Sequence, residues 1–152
     1  MHLTQSTDLA LRVLMLLAAR NQRRSAADLA ERLRVAPQHM AKIVQRLRGH
    51  GLVRTTRGRG GGVVLGDGVL ERSVGEIVRT LEGPGEAVDC ERPPCPLRDG
   101  CRLRGALRTA QEAFLASLDQ VRLHELVTGP PEPVLLSLAL PSPAASPPPE
   151  GP

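Results

Sequence analysis

The sequence predicts a mainly α-helical fold with one small β-hairpin, and three observations support this. Apolar residues recur with a helical period through most of residues 3–127. A glycine-rich turn at residues 58–62 separates two short extended segments, which is typical of a hairpin. Phe114 is the only aromatic residue in the chain, so aliphatic side chains must fill the core, which favours helices packed on helices.

Three helices are expected ahead of the hairpin. The first covers residues 3–20, whose apolar residues share one face. Ser25 can cap the second helix, since Asp28 follows three residues later. Pro37 suits the first turn of a third helix, which Gly51 can stop. The apolar residues of this third helix form a single stripe: Met40, Ile43, Val44 and Leu47.

The order of helix, helix, turn, helix and hairpin is that of a winged helix-turn-helix, which we expect over residues 1–82. A short helix at residues 73–81 closes this DNA-binding domain. A cysteine-bearing loop at residues 83–101 then leads into a long helix from about Cys101 to Val127.

The long helix is expected to serve in dimerisation, over residues 102–128. Its apolar stripe consists of Leu103, Leu107, Ala110, Phe114, Leu118 and Val121. We expect the stripe to pack both on the first helix of its own chain and on a second subunit. Nine of the fourteen prolines lie in residues 129–152, a tail expected to be largely disordered. Its apolar segment Val134–Leu140 can dock on the body.

Charge is distributed unevenly along the chain. Residues 1–66 hold twelve Lys or Arg against three Asp or Glu, and residues 67–152 hold eight against thirteen. A basic first half indicates contact with a polyanion, although a solvated basic face would give the same asymmetry. The apolar run Val13–Ala19 is much shorter than the roughly 20 residues that cross a bilayer. We therefore expect a cytoplasmic protein with no membrane partner.

The third helix is expected to enter the major groove of double-stranded DNA and to read base edges. Its outward residues that we expect to contact DNA are Gln38, His39, Lys42 and Arg46. Gln45 also faces outward, but it can equally be an ordinary solvated residue. Arg57 and Arg59 flank Gly58 in the hairpin turn, where arginine suits phosphates and the minor groove. The hairpin is therefore expected to act as a DNA-binding wing.

Cys90, Cys95 and Cys101 lie on one loop rich in proline and glycine. In a reducing compartment, such a group favours metal over disulfides. Three thiolates can converge on an iron–sulfur cluster, which also accepts other ligands. Structural zinc sites usually have a close two-cysteine knuckle and a fourth Cys or His, and this loop has no such knuckle. Zinc, and a disulfide with one free thiol, remain alternatives to the cluster.

Several segments resemble the bacterial winged-helix regulators that include IscR and NsrR. They are Met1–Arg12, the wing Arg57–Gly62, Ser73–Arg79 and the cysteine loop. The resemblance covers roughly residues 1–135 and leaves the proline tail outside. The sequences around the three cysteines look like those of the actinobacterial NsrR subgroup, whose members are nitric-oxide-responsive repressors.

Two positions separate these subgroups. IscR-like members place a histidine ligand three residues after the third cysteine, where this chain has Arg104, which cannot ligate. NsrR-like members use an aspartate from the opposite subunit, which corresponds to Asp8. Without the resemblance, Asp8 would be an ordinary charge at a helix N-terminus. The resemblance thus implies a homodimer with one [4Fe–4S] cluster per subunit. Its ligands would be Cys90, Cys95, Cys101 and the partner subunit's Asp8.

The resemblance also implies a transcriptional repressor that is not an enzyme. Reaction of the cluster with nitric oxide would change the spacing of the two wings and release promoter DNA of nitric-oxide detoxification genes. One alternative is a regulator of iron or cluster status with a [2Fe–2S] cluster. Another is a zinc-stabilised interaction protein. Catalysis is not expected, since no nucleophile–base or carboxylate pair occurs at a recognisable spacing.

Overall fold

The computed structural model describes residues 3–128 except Arg57, Arg59 and Arg92. The helices of this part are α1 (Gln5–Ala18), α2 (Ala26–Arg32), α3 (Pro37–Gly49), α4 (Val74–Glu82) and α5 (Arg102–Asp119). Strands β1 (Val53–Thr56) and β2 (Gly62–Leu65) pair antiparallel, with Val53 opposite Leu65. The predicted fold class, mainly helical with one hairpin, is confirmed. None of the described helices is long and apolar enough to span a membrane.

Hydroxyl side chains fix where three helices begin. The caps are Thr4 Oγ1 to Thr7 N at 3.2 Å, Ser25 Oγ to Asp28 N at 3.0 Å and Ser73 Oγ to Glu76 N at 3.1 Å. Each cap satisfies a backbone N–H that has no partner within its helix, which stabilises the helix by about 1 kcal/mol. The predicted cap at Ser25 and the first-turn position of Pro37 are both confirmed.

The core is aliphatic and lies where α1, α3, α4 and the hairpin meet. The predicted stripe of α3 faces this core, and all four of its residues are buried. Helix α2 packs against α3, as the two helices of a helix-turn-helix do. Leu14 and Leu17 of α1 are fully buried among them. The apolar period read from the sequence therefore identified the core side of α1, α2 and α3.

The prediction that the last helix runs to Val127 is wrong, because α5 ends at Asp119. Beyond α5 the chain folds back along the start of α4. The Val74 N–H donates to the Val121 carbonyl at 2.8 Å, and the Leu123 N–H donates to the Arg72 carbonyl at 3.0 Å. These bonds place Leu123 in the core, where it is fully buried. Burying this side chain requires the helix to stop.

Helix α5 packs mainly against α4 rather than against α1, contrary to expectation. The two helices approach closely at Gly75, where a Cβ atom would lie 2.7 Å from the Leu115 carbonyl oxygen. The first helix is shorter at both ends than the predicted range, since Thr4 caps it and Asn21 adopts a positive φ of 46°. The predicted proline tail, with its segment Val134–Leu140, lies outside the described residues.

Candidate functional site

The outer face of α3 is polar and exposed. Gln38 and Lys42 are four residues apart, so they lie one above the other on this face. His39 is half-buried at its edge. Arg48, which the sequence reasoning passed over, is exposed near the end of α3 and lines a groove with Gln45 and with Thr55 of β1. Because Arg48 lies outside the apolar stripe of α3, the sequence alone could have placed it on the exposed face of this helix.

Arg46 does not share this exposed arrangement. Its guanidinium turns toward the body of the chain, where Nη1 donates to Ser6 Oγ at 2.7 Å and Nη2 donates to the Leu81 carbonyl. These acceptors belong to α1 and α4. The Arg46 guanidinium is therefore bonded within the protein, and the residue is half-buried rather than exposed.

The hairpin is fastened to the segment between α1 and α2. The backbone of Arg24 bonds that of Val63 in both directions, at 3.0 and 2.7 Å. Arg23 Nη1 donates to the Gly60 carbonyl at 2.6 Å. The turn needs glycine at position 60, which has a φ of 78°. These bonds hold the predicted wing beside the helix-turn-helix, while its Arg57 and Arg59 lie outside the described residues.

The cysteine loop is a series of turns between α4 and α5. The Cys95 N–H donates to the Cys90 carbonyl at 3.1 Å, which brings the first two cysteines to one side of the loop. Cys101 is the N-cap of α5, where its Sγ accepts from the Arg104 N–H at 3.5 Å. All three thiols are free and half-buried.

The pKa of Cys90 is affected by both other cysteines, so the three thiols lie near one another. Loss of surrounding water raises the pKa of Cys90, and the nearby Cys95 and Cys101 raise it further, against a lowering effect of Arg104. Arg104 itself is clamped by Glu86, with hydrogen bonds of 2.6 and 2.7 Å to the two carboxylate oxygens. Neighbouring thiolates repel one another, and a bound cationic centre would relieve that repulsion.

This donor set fits an iron–sulfur cluster in its chemistry, since cysteine thiolates are the usual ligands of such clusters. Among the described residues, however, no three Cys, His, Asp or Glu side chains are arranged to hold a metal ion. A cluster bound here would need a further ligand besides the three cysteines. Asp8 pairs with Arg12 at 2.8 Å and lines a cleft beside His39. The cavity next to Cys90 is lined by other residues, so one chain does not bring Asp8 to the cysteines.

Helix α5 is only partly covered by its own chain, through its contact with α4. None of its residues is buried, and Leu103 is 66% exposed at its first turn. Leu97, in the cysteine loop, is 69% exposed. An 18-residue helix with no buried side chain exposes apolar surface to solvent, and such surface is typical of a protein–protein contact.

Comparisons with known proteins identify relatives of this chain that are transcriptional regulators. The profile of the Rrf2 family, described as iron-dependent transcriptional regulators, matches residues 3–129. The transcriptional repressor NsrR of Streptomyces coelicolor is 51% identical over 142 residues, which cover 91% of this chain and 96% of that protein. The transcriptional regulator NsrR of Shouchella clausii is 36% identical over 132 residues, 84% of this chain and 89% of that protein.

Among solved structures, CymR, the global cysteine regulator of B. subtilis, superposes with a TM-score of 0.68 at 26% identity. The match covers 84% of this chain and 97% of CymR. The predicted winged-helix fold and the resemblance to NsrR are thereby confirmed, and so is the predicted class of transcriptional repressor. On the family match and these relatives, the chain belongs to the Rrf2 family of transcriptional regulators.

Proposed function

We propose that this repressor binds promoter DNA as a homodimer and releases it when an iron–sulfur cluster on the cysteine loop reacts with nitric oxide. The main support for the proposal is that three half-buried thiols lie on one loop. This loop joins the winged-helix body to α5, a helix with no buried residue. The two relatives named NsrR support the same function. A bound cluster would supply the iron that reacts with nitric oxide.

The ligands proposed for a [4Fe–4S] cluster are Cys90, Cys95, Cys101 and the partner subunit's Asp8. Arg104, at the position of the histidine ligand in IscR-like members, is paired with Glu86 and offers no lone pair to a metal. Asp8 lies in the first turn of α1 and lines a cleft that contains no cysteine of its own chain, which favours ligation across a dimer. The [2Fe–2S] form is the alternative.

The dimer is proposed to form through the part of the apolar side of α5 that α4 leaves exposed; Cys101 caps the beginning of this helix. Two recognition helices related by a two-fold axis would then meet successive major grooves. The residues proposed to contact DNA are Gln38, His39 and Lys42 on α3, with Arg57 and Arg59 on the wing. Arg46 is left out of this set, because its guanidinium is bonded to Ser6 and to Leu81.

Anaerobic purification followed by iron and sulfide analysis tests the cofactor. About four irons and four sulfides per chain are expected. About two of each would favour the iron-status regulators, and zinc without sulfide would contradict the cluster. Replacing Asp8 by Ala tests ligation across the dimer. We expect a changed cluster spectrum, whereas an unaltered spectrum and nitric-oxide response would refute the role of Asp8.

A further inference from the structure

Arg46 joins three helices at one point. It lies on α3, its Nη1 donates to Ser6 Oγ at 2.7 Å in the first turn of α1, and its Nη2 donates to the Leu81 carbonyl at the end of α4. Ser6 lies two residues before Asp8, and the cysteine loop begins two residues after Leu81. One guanidinium therefore connects the recognition helix to both segments that are proposed to hold the cluster.

Glu82 makes the companion connection between α1 and α4. Its Oε1 accepts from the Thr4 N–H at 3.0 Å and from Thr4 Oγ1 at 2.9 Å. Burial alone would raise the pKa of Glu82, but hydrogen bonds from Thr7 and Thr4 and the charge of Arg46 bring it below its usual range. The carboxylate is thus held ionised in place. We call Thr4, Ser6, Arg46, Leu81 and Glu82 the three-helix junction.

The junction suits arginine specifically. A guanidinium is a planar fork whose donors can bond two separated acceptors at once, whereas a lysine ammonium is a point charge. The carbonyl of Leu81 lies in the last turn of α4, so it has no partner within its own helix and needs one from outside. Any displacement of the start of α1 or of the end of α4 must either move Arg46 or break its bonds.

We propose that Arg46 is a positioning residue through which the cysteine loop and α1 set the placement of α3 on DNA, and that it does not contact DNA itself. This inference rests on the proposed function, since it requires binding that depends on the cluster. Loss of the cluster frees the start of α1 and the loop that follows α4, and the guanidinium is bonded to the start of α1 and to the end of α4. The recognition helix then follows their movement, and its half-site spacing changes.

The test measures the affinity of the full-length protein for DNA with and without its cluster, and takes the ratio of the two affinities. The duplex is one selected for tight binding by the cluster-loaded wild type. Wild type is expected to lose at least about tenfold in affinity without the cluster. Arg46→Gln and Ser6→Ala should both bring this ratio close to one. They should leave the dependence of affinity on salt unchanged in each form, because no phosphate contact is removed. Ser6→Ala removes only one hydroxyl, so it keeps the test open if Arg46→Gln fails to fold.

Arg48→Gln is the matched control, because Arg48 lies on the same helix but is exposed. It removes the same charge from the exposed face of α3, so it should keep the wild-type ratio. A fall of about one in the salt slope for Arg46→Gln, with the ratio retained, would show that Arg46 binds phosphate and would overturn this inference without affecting the proposed function. A lower melting temperature with the ratio retained would reduce Arg46 to a structural role and overturn it too. A wild-type ratio near one would contradict the proposed function and the inference together.

Discussion

A Cβ atom on Gly75 would lie 2.2 Å from Asp119 Oδ1, so α4 and α5 touch at a point where only glycine fits. Arg79, one turn further along α4, donates to both oxygens of the same carboxylate at 2.6 Å. Ser73 Oγ donates to Oδ1 as well, at 3.3 Å. The end of α5 is thereby fixed to the winged-helix body, while the beginning of α5 carries Cys101.

Replacing Gly75 by Ala is expected to lower the free energy of unfolding by about 1–3 kcal/mol, because the added methyl forces the helices apart. Denaturant unfolding of the full-length chain measures the loss. Gly49→Ala is the control, since nothing lies within 4 Å of a Cβ there. It should leave stability unchanged or raise it by about 0.5–1 kcal/mol. A Gly75→Ala variant as stable as wild type would contradict the close approach.

Acid is expected to destabilise the cluster-free protein through its paired carboxylates. Burial alone would raise the pKa of Asp28, but hydrogen bonds from Arg24 and Arg32 bring it below its usual range. The hydrogen bond from Arg79 lowers the pKa of Asp119. A carboxyl whose pKa is lower in the folded than in the unfolded state stabilises the fold above its unfolded pKa. That contribution is lost as the pH falls through the folded value.

The melting temperature should therefore be nearly constant from about pH 7 to pH 5 and fall progressively below about pH 4. Thermal unfolding followed by circular dichroism measures this profile. Asp119→Asn removes one of the contributing carboxylates, so its profile should fall less steeply in acid than that of wild type. If the melting temperature stays constant to about pH 3, these ion pairs contribute nothing to stability.

Gln38 and Lys42 are expected to contribute differently to DNA binding. Gln38→Ala should weaken binding to the preferred site by about 1–3 kcal/mol and leave non-specific binding almost unchanged, since glutamine reads a base edge. Lys42→Ala should weaken both and lower the salt slope by about one. Fluorescence anisotropy at several salt concentrations separates the two effects, with Gln120→Ala as a control far from α3. Equal losses on both kinds of DNA for Gln38→Ala would exclude base reading.

Glu86 is expected to protect the cluster through Arg104. Its carboxylate clamps the Arg104 guanidinium near Cys90, and partners of this kind typically affect metal binding by about 10–100-fold. Glu86→Gln should therefore release iron to a chelator about tenfold faster than wild type. Glu112→Gln, on the exposed side of α5, should not. Equal rates for the two variants would show that the clamp has no role in holding the cluster.

The winged helix could be predicted because each of its elements carries a local signal. The stripe of α3, the cap at Ser25 and the position of Pro37 are all read within one or two turns of sequence. The end of α5 could not be predicted in this way. The apolar pattern continues past Asp119, and the helix stops because Val121 and Leu123 bond to residues at the start of α4.

Helical periodicity predicts which residues of α3 lie outside its apolar stripe, but not which groups they contact. The cysteine loop was located correctly between α4 and the last helix. Arg46 was expected to face DNA because helical spacing places it outside the apolar stripe. Its acceptors, Ser6 and Leu81, are distant in sequence, so helical periodicity contains no information about them. Contacts of this kind follow from tertiary packing alone.

The most direct test of the account is a nitric-oxide titration of anaerobically purified protein, with binding to duplex DNA followed at each step. We expect the affinity for DNA to fall as the visible absorption of the cluster changes. We also expect that a Cys95→Ser variant, which lacks one ligand, shows no such response. Binding by the cluster-loaded wild type that stays constant while the cluster reacts would contradict the account, because the cysteine loop would then have no influence on the recognition helix.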